Sequence, residues 1–165
     1  MLKIGYGEDT HRLIADRPLI LGGVTVPFHL GLLGHSDADA LIHAVMDAVI
    51  GALGNGDIGL HFPDSDDKYK GISSMMLLKN VSQLLHGSGY TIGNIDCTII
   101  AQQPKLRPHI DNMCRNIADA LLCDVSQVNV KATTPEGCNA EGNLECITAR
   151  CVLTITRVEG FSLRS

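Results

Sequence analysis

The sequence predicts an α+β fold, in which helices cover one face of a mixed or antiparallel sheet and a small hairpin is added. Several segments have the two-residue period of strands, and three others repeat apolar side chains at helical spacing. The clearest strand is Cys146–Arg157, where apolar residues alternate with threonines and arginine as in a half-buried strand. Because strands and helices intermix along 165 residues without repeat or linker, we expect one domain, residues 1–165.

The N-terminal third is predicted to contain a strand, a hairpin and a helix. Leu2–Tyr6 has strand composition, and Leu19–Pro27 is typical of a hairpin that turns at Gly22–Gly23. Gly31 and Gly34 then indicate a break in regular structure. Ser36 is the expected N-cap of a helix over Asp37–Leu53, which ends in the glycines of "GALGNGDIG".

The rest of the chain continues the alternation of helices and strands. The segment "LHFPDSDDKYKG" is polar and predicts a loop. The elements expected after it are a helix over Ser74–His86, a strand over Ile92–Gln102, a third helix with Pro108 in its first turn, and a short strand over Val128–Ala132. The outer face of this sheet is not polar throughout, so we expect it to pack on another subunit.

Composition argues against two classes of partner. A formal net charge of −5 and 4% aromatic residues disfavour nucleic-acid binding, which needs a basic surface and stacking platforms. The sequence contains no apolar run of the roughly 20 residues that span a bilayer, so no membrane partner is expected. The six cysteines lack C-x-x-C spacing and predict reduced thiols in a cytoplasmic protein, with a Cys138, Cys146 and Cys151 metal site as the alternative.

Two histidines and an aspartate predict a zinc site. Asp9 and His11 are two residues apart at the end of the first strand and share a face, while His43 lies within the first helix. Three such ligands leave a fourth position open, as in catalytic zinc sites. The alternative is that His43 is a partly buried packing residue, because spacing alone does not establish that strand and helix meet.

Asp39, His43 and Asp47 are spaced four apart and form one stripe on this helix. If one nitrogen of His43 binds metal, a carboxylate can accept from its other N–H, and Asp47 is the candidate for that role. Asp39 either belongs to the same support or only completes a capping box with Ser36.

Three further stretches suit an anionic, hydroxyl-rich ligand. "GDIG" (Gly56–Gly59) and "FPDSD" (Phe62–Asp66) combine exposed backbone with carboxylates that suit sugar hydroxyls, although an acidic turn would look the same. "AQQPKLRPHI" places Lys105 and Arg107 at a helix N-terminus, which favours anions. "KATTPE" (Lys131–Glu136) offers two hydroxyls for phosphate and a carboxylate for magnesium.

Together these motifs resemble the 2-C-methyl-D-erythritol 2,4-cyclodiphosphate synthase family. The motifs that carry the resemblance are "GYGEDTHRL", "LILGGVTVP", "GLLGHSDADALIHAVMDAVIGALGNGDIGLHFPD", "GYTIGNIDCTIIAQQPKLRPHI" and "VNVKATTPEG". They occur in the family's order and spacing, from about Lys3 to Thr156.

The resemblance implies a homotrimer with active sites between subunits. It also implies closure of 4-diphosphocytidyl-2-C-methyl-D-erythritol 2-phosphate to the cyclic diphosphate, with release of CMP. By the same resemblance, Zn²⁺ or another divalent metal in its place is expected to bind to Asp9, His11 and His43, and Mg²⁺ or Mn²⁺ to Glu136. His35 and Thr134 become the catalytic donors. The substrate contacts carried over are Ser36, Asp57, Ile58, Gly59, Phe62, Asp64, Asp66, Ala101, Pro104, Lys105, Leu106, Arg107, Ala132 and Thr133.

Departures from the family pattern lie in one region. Pro135 replaces a residue with a backbone N–H, and Ala140 and Asn143 replace an aromatic residue and an arginine on the threefold axis of the family trimer. We therefore expect weak or absent binding of isoprenoid diphosphates on that axis. A zinc phosphohydrolase and a non-enzymatic, metal-stabilised trimeric binding module remain the alternative functions, since the same metal site could activate water or serve structure alone.

Overall fold

The computed structural model describes residues 1–63 and 65–160. Five strands form a mixed sheet in the order β4-β1-β7-β5-β6, where only β5 and β6 pair in parallel. The other two strands, β2 and β3, form a separate antiparallel hairpin. The strands are β1 (Leu2–Ala15), β2 (Leu19–Leu21), β3 (Val24–Val26), β4 (Leu30–Leu32), β5 (Tyr90–Ile100), β6 (Val128–Thr133) and β7 (Cys146–Arg157).

Three long helices pack on one face of the sheet, as the sequence predicts. The helices are α1 (Ala40–Leu53), the single turn α2 (Ile58–His61), α3 (Ser74–Gly87), α4 (Arg107–Leu121) and the single turn α5 (Asn139–Gly142), with 3₁₀ turns at Asp67–Tyr69 and Val125–Gln127. Helix α1 lies on β1 and β7, and α4 lies beside β6. The opposite face of the sheet exposes Ile4, Tyr6 and Val152. No helix among the described residues has the length and apolarity needed to cross a membrane.

Most predicted elements occur with small shifts at their ends. The hairpin turns at Gly22 and Gly23, whose φ angles of 59° and 70° suit the tight turn of a two-residue hairpin. Strand β7 has the predicted bounds, and α3 ends one residue later than expected. One short strand was not predicted: Gly31 pairs with Ile14 in β4, where the sequence suggested a break.

The first strand is longer than predicted and continues to Ala15. Gly5 and Gly7 lie on its buried face, directly beneath α1. A Cβ atom at Gly7 would stand 2.1 Å from the carbonyl oxygen of Ala44, and one at Gly5 would stand 1.9 Å from that of Ala48. These glycines therefore let α1 lie unusually close to β1, and the same strand face continues to Asp9 and His11.

The first helix begins at Ala40, three residues later than predicted. Its N-cap is Asp39 rather than Ser36, because the Asp39 Oδ1 accepts from the backbone N–H of Ile42 at 3.1 Å. The same carboxylate accepts from the N–H groups of Gly22 and Gly23, at 2.9 and 2.7 Å. Asp39 thus fastens the hairpin turn to the start of α1.

Candidate active site

Three predicted ligands converge where β1 meets α1. The distances between their nearest atoms are 2.9 Å from His11 Nε2 to Asp9 Oδ2, 3.0 Å from His43 Nδ1 to Asp9 Oδ2, and 3.1 Å between the two imidazole nitrogens. Among residues 1–63 and 65–160, these form the only group of three or more side chains with metal-ligand spacing, and it contains none of the cysteines.

The spacing of these donors fits a small divalent ion. Bonds of about 2.0–2.1 Å in tetrahedral geometry place ligand atoms roughly 3.3 Å apart. The three observed distances lie within a few tenths of an ångström of that value. Two imidazoles and one carboxylate are also a donor set typical of zinc, and three protein atoms leave a fourth coordination position for another molecule.

The other nitrogens of both imidazoles have fixed partners. His11 Nδ1 donates to the carbonyl oxygen of Leu33 at 2.6 Å, which leaves the lone pair of Nε2 facing the ligand position. His43 Nε2 lies 2.9 Å from Ser74 Oγ and 3.2 Å from Ser36 Oγ. Each ring is thereby oriented by a hydrogen bond on the side away from the three donors.

The prediction that Asp47 supports His43 is wrong. Asp47 Oδ1 accepts from the backbone N–H of Ile58 at 3.0 Å, and serine hydroxyls stand behind His43 instead. Four residues along a helix advance slightly more than one turn, so Asp47 is carried away from the imidazole and towards the following turn. Asp39 does not support His43 either, because its carboxylate accepts from the hairpin turn and caps the helix. Its burial raises its pKa to about 6.

Asp9 sits in a strongly polar environment at this point. Burial by itself would raise the pKa of its carboxyl, but in the metal-free chain the imidazoles of His11 and His43, when protonated, outweigh burial by hydrogen bonds and charge and lower that pKa well below its usual range. The carboxylate is therefore ionised at neutral pH. A negative oxygen beside two imidazole nitrogens is the electrostatic arrangement that attracts a cation.

A cavity of about 380 Å³ opens above these donors. Its lining contains eight residues predicted from the sequence and four that were not. The predicted ones are Asp9, His11, His35, Ser36, His43, Ile58, Gly59 and Phe62; the others are Gly34, Pro63, Tyr69 and Leu77. The size suits a small organic ligand rather than a metal ion alone.

His35 is the lining residue with an unmatched polar atom. Its Nε2 is buried and has no hydrogen-bond partner within the described part of the chain. The guanidinium of Arg17 holds the loop that carries it, by donating to the carbonyl oxygens of Gly34 and Ser36 at 3.1 and 3.0 Å. A buried imidazole nitrogen without a protein partner is available to a ligand.

The predicted substrate contacts Asp57 and Asp66 are not among the residues that line the cavity, and both cap short helical turns. Asp57 accepts from the N–H of Leu60 at 2.9 Å, and Asp66 accepts from that of Lys68 at 3.1 Å. Asp64 lies outside the described residues. Tyr69, which the sequence did not single out, packs edge-on against Phe62 with the ring centroids 5.5 Å apart. Its position in a polar, charged stretch gave no signal of a role in the cavity.

The remaining predicted residues form a second group at the β5–β6 edge of the sheet, the edge group. Strand pairing connects Thr10 to Thr148, Thr148 to Ile100, and Ile100 to Thr133, so both groups lie at the same end of the sheet. Three strand spacings separate them by about 14 Å. The members of this second group are Ala101, Pro104, Lys105, Leu106, Arg107, Ala132, Thr133, Thr134 and Glu136.

Most of the second group is exposed in the single chain, and its hydroxyl and carboxylate groups are adjacent. The Thr134 hydroxyl donates to Glu136 Oε1. The N–H of Ala101 donates to the carbonyl oxygen of Thr133 at 3.1 Å, and Gln102 accepts from the N–H of Gly137 at 3.0 Å. Pocket and edge group are therefore two separate surfaces of one protomer.

Fold and site together define an α+β protein with a candidate divalent-metal site at the floor of a ligand-sized cavity. A family model described as the YgbB family matches residues 2–156. The chain is 55% identical over 160 residues to the 2-C-methyl-D-erythritol 2,4-cyclodiphosphate synthase of Lachnospira eligens, covering 97% of this chain and 87% of that protein. This chain belongs to the YgbB family, and the resemblance found in its motifs is confirmed.

Solved structures agree with this assignment. The bifunctional IspDF from Campylobacter jejuni superposes with a TM-score of 0.91 at 39% identity, over 95% of this chain and 42% of that longer chain. IspF from Plasmodium falciparum, in a CDP complex, superposes with a TM-score of 0.85 at 32% identity, over 96% of this chain and 97% of that one.

Proposed function

We infer that this protein forms 2-C-methyl-D-erythritol 2,4-cyclodiphosphate from 4-diphosphocytidyl-2-C-methyl-D-erythritol 2-phosphate and releases CMP. The observation that carries this inference is the convergence of Asp9, His11 and His43 beneath an open cavity, in a chain that belongs to this enzyme's family. The CDP complex of the Plasmodium falciparum relative supports a cytidine diphosphate-linked substrate.

The reaction is an internal phosphoryl transfer. An oxygen of the 2-phosphate forms a bond to the β-phosphorus, the bond from that phosphorus to the oxygen bridging to the α-phosphate breaks, and the electron pair leaves with CMP. The nucleophile is already an oxyanion, so no strong general base is needed, and catalysis consists of alignment and charge neutralisation. A protein with a formal charge of −5 can bind such a substrate only if local positive groups supply that neutralisation.

Asp9, His11 and His43 would hold Zn²⁺ or a similar ion, and Glu136 would hold Mg²⁺ or Mn²⁺. When bound, these ions would act as Lewis acids that neutralise negative charge on the phosphate oxygens. His35 donates through its unmatched Nε2 to a phosphate oxygen, and Thr134, whose hydroxyl hydrogen points to Glu136 in the metal-free chain, would turn that hydrogen to a phosphate oxygen once Glu136 holds its ion. Ser36 would contact the phosphate region beside His35, and Ile58, Gly59 and Phe62, which line the cavity, would orient the methylerythritol part.

The cytidine part belongs to the edge group. Lys105 and Arg107 are exposed at the start of α4, where the helix N-terminus adds to their positive charge. Because Glu136 in this group lies about 14 Å from the metal donors of the same chain, one protomer cannot bring both metal positions to the same diphosphate. We therefore assign the edge group of one protomer to the cavity of the next, in a homotrimer of single-domain chains.

The exposed sheet face supports such an assembly. Ile4 and Tyr6 have 70% and 56% of their surface accessible, which is unusual for side chains central in a sheet. Packing this face on neighbouring copies would bury them. A cytoplasmic location remains part of the proposal, and the six unpaired cysteines are typical of a reducing compartment.

The two alternative functions are weaker. A zinc phosphohydrolase would release linear phosphates, whereas the name shared by the curated relatives is that of the cyclising enzyme. A purely structural metal site would need four protein ligands, and this group offers three.

Incubation with the cytidylated substrate, Zn²⁺ and Mg²⁺, followed by phosphorus NMR, tests the proposed function. We expect the two coupled resonances of a cyclic diphosphate together with CMP, and their loss with a chelator. Linear methylerythritol phosphates would indicate hydrolysis instead, and an unchanged substrate would contradict both enzymatic functions.

Complementation tests whether the site is shared between copies. His43→Ala and Thr134→Ala each remove one side of the site and should be nearly inactive as separate homo-oligomers. If the sites lie between protomers, mixed oligomers regain part of the activity, because some interfaces combine two intact halves. Mixtures that stay as inactive as their components would refute the shared site.

A further inference from the structure

The hydrogen bonds behind His43 continue through a serine to an aspartate. His43 Nε2 lies 2.9 Å from Ser74 Oγ, and Ser74 Oγ lies 2.5 Å from Asp37 Oδ1. The other oxygen of Asp37 accepts from the backbone N–H of Ser74 at 2.9 Å. Ser74 is fully buried at the first residue of α3, so two bonds to one carboxylate fix its hydroxyl in place.

The chemistry of this chain sets the position of each hydrogen. A carboxylate oxygen only accepts, so the single hydrogen of the Ser74 hydroxyl points to Asp37. Ser74 Oγ must then accept from His43, which puts the imidazole hydrogen on Nε2. The lone pair of Nδ1 is left facing Asp9 and His11.

We propose that Asp37 and Ser74 are positioning residues for the metal, which hold His43 in the Nε2–H form and aim its Nδ1 at the ion. This inference rests on the metal site of the proposed function and adds the residues that make His43 a competent ligand. Without them, Asp9 competes for the imidazole hydrogen, since its carboxylate stands 3.0 Å from Nδ1. A hydrogen on Nδ1 would block metal binding there.

Ser36 is the weaker of the two hydroxyl partners of His43 Nε2. Its hydroxyl oxygen lies farther from Nε2, at 3.2 Å, and already accepts from the N–H of Ala38 at 3.1 Å. Only the Ser74 path ends on a carboxylate that can share the charge of a metal-bound imidazole.

Zinc affinity, measured by competition with a chromogenic chelator, tests the proposal without use of the reaction. We expect Ser74→Ala to weaken zinc binding by about 10–100-fold, the usual effect of removing a hydrogen bond behind a ligand. Ser82→Ala is the matched control, because Ser82 is buried on the same helix and its hydroxyl has no partner within the described chain. It should keep wild-type affinity, and Ser74→Thr, which retains the hydroxyl, should recover most of the loss.

Nitrogen NMR of the zinc-loaded protein gives a second readout. The wild type and Ser82→Ala should show a slowly exchanging hydrogen on Nε2 of His43, and Ser74→Ala should lose that protection. Should Ser74→Ala fail to fold, Asp37→Asn takes its place: it keeps the side-chain oxygen that can accept from Ser74, removes the charge, and should weaken zinc binding several-fold.

Wild-type affinity in the serine variant, or in Asp37→Asn where that is the variant used, would overturn the proposal. So would zinc bound through Nε2 of His43. The proposed function can fail without affecting this proposal. A wild-type protein that binds zinc tightly but yields no cyclic diphosphate would contradict the proposed function, and the zinc affinities of the variants would still test the roles of Ser74 and Asp37.

Discussion

Replacement of Gly7 by alanine tests how the packing of α1 creates the metal site. The new Cβ would stand 2.1 Å from the carbonyl oxygen of Ala44, whereas unstrained heavy atoms pack about 3.5–4.0 Å apart. Helix and strand would therefore have to separate by more than about 1 Å, or strain by an equivalent amount. Ala44 directly follows His43, so the imidazole moves with it.

The consequence for the site follows from its distances. His43 Nδ1 lies 3.0 Å from Asp9 Oδ2, and moving it to about 4 Å exceeds what bonds of about 2.0–2.1 Å allow in a tetrahedron. We expect Gly7→Ala to lower the free energy of unfolding by about 1–3 kcal/mol. Zinc affinity should fall by more than about 10-fold. Urea unfolding and chelator competition measure the two effects.

Gly51 supplies the matched control on the same helix. An added Cβ there meets nothing within 4 Å, so Gly51→Ala should leave zinc affinity unchanged. It should also stabilise the protein by about 0.5–1 kcal/mol, since alanine is the better helix former. A Gly7→Ala protein with wild-type stability and wild-type zinc affinity would refute the claim that close packing sets the ligand geometry.

Three further changes probe single side chains. His43→Ala should abolish zinc binding in a chain that still folds; one zinc per chain by elemental analysis would exclude His43 as a ligand. Asp47→Ala should keep zinc affinity within about 2-fold but weaken substrate binding, because Asp47 anchors Ile58 at the cavity; a large loss of zinc would return Asp47 to the metal. Burial raises the pKa of Asp39 to about 6, above the roughly 3.9 of an exposed aspartate. The folded state therefore takes up a proton first, and the stability of the metal-free wild type relative to Asp39→Asn should rise as pH falls from about 7 to about 5; a flat or falling difference would contradict that shift.

Local sequence signals predicted the elements whose pattern agrees with their environment. Strand β7 alternates cleanly because one face is buried, and α3 and α4 have an apolar stripe for the same reason. Strand β1 was predicted to end at Tyr6, next to Gly7, whereas Gly5 and Gly7 are spaces for a helix that only the tertiary structure brings near. The N-cap of α1 was predicted wrongly for a similar reason, because Asp39 is fixed by contacts with the hairpin turn, which is distant in sequence.

Residue types were enough to name the candidate metal ligands, but they did not predict that the three side chains lie close together. Nothing local to Asp9 and His11 indicates that α1 lies over them, and the motif resemblance supplied that connection. The support for His43 was misassigned to Asp47 because helical spacing considers only one helix. Its true partner, Ser74, comes from α3 and is 31 residues away in the chain, beyond any periodic pattern.

Anomalous diffraction from crystals grown with zinc is the most direct test of the central claim, that Asp9, His11 and His43 bind one ion. We expect a single strong peak within about 2.0–2.2 Å of Asp9 Oδ2, His11 Nε2 and His43 Nδ1, with a fourth position facing the cavity. A site without a peak at excess zinc, or an ion bound by other residues, would contradict it.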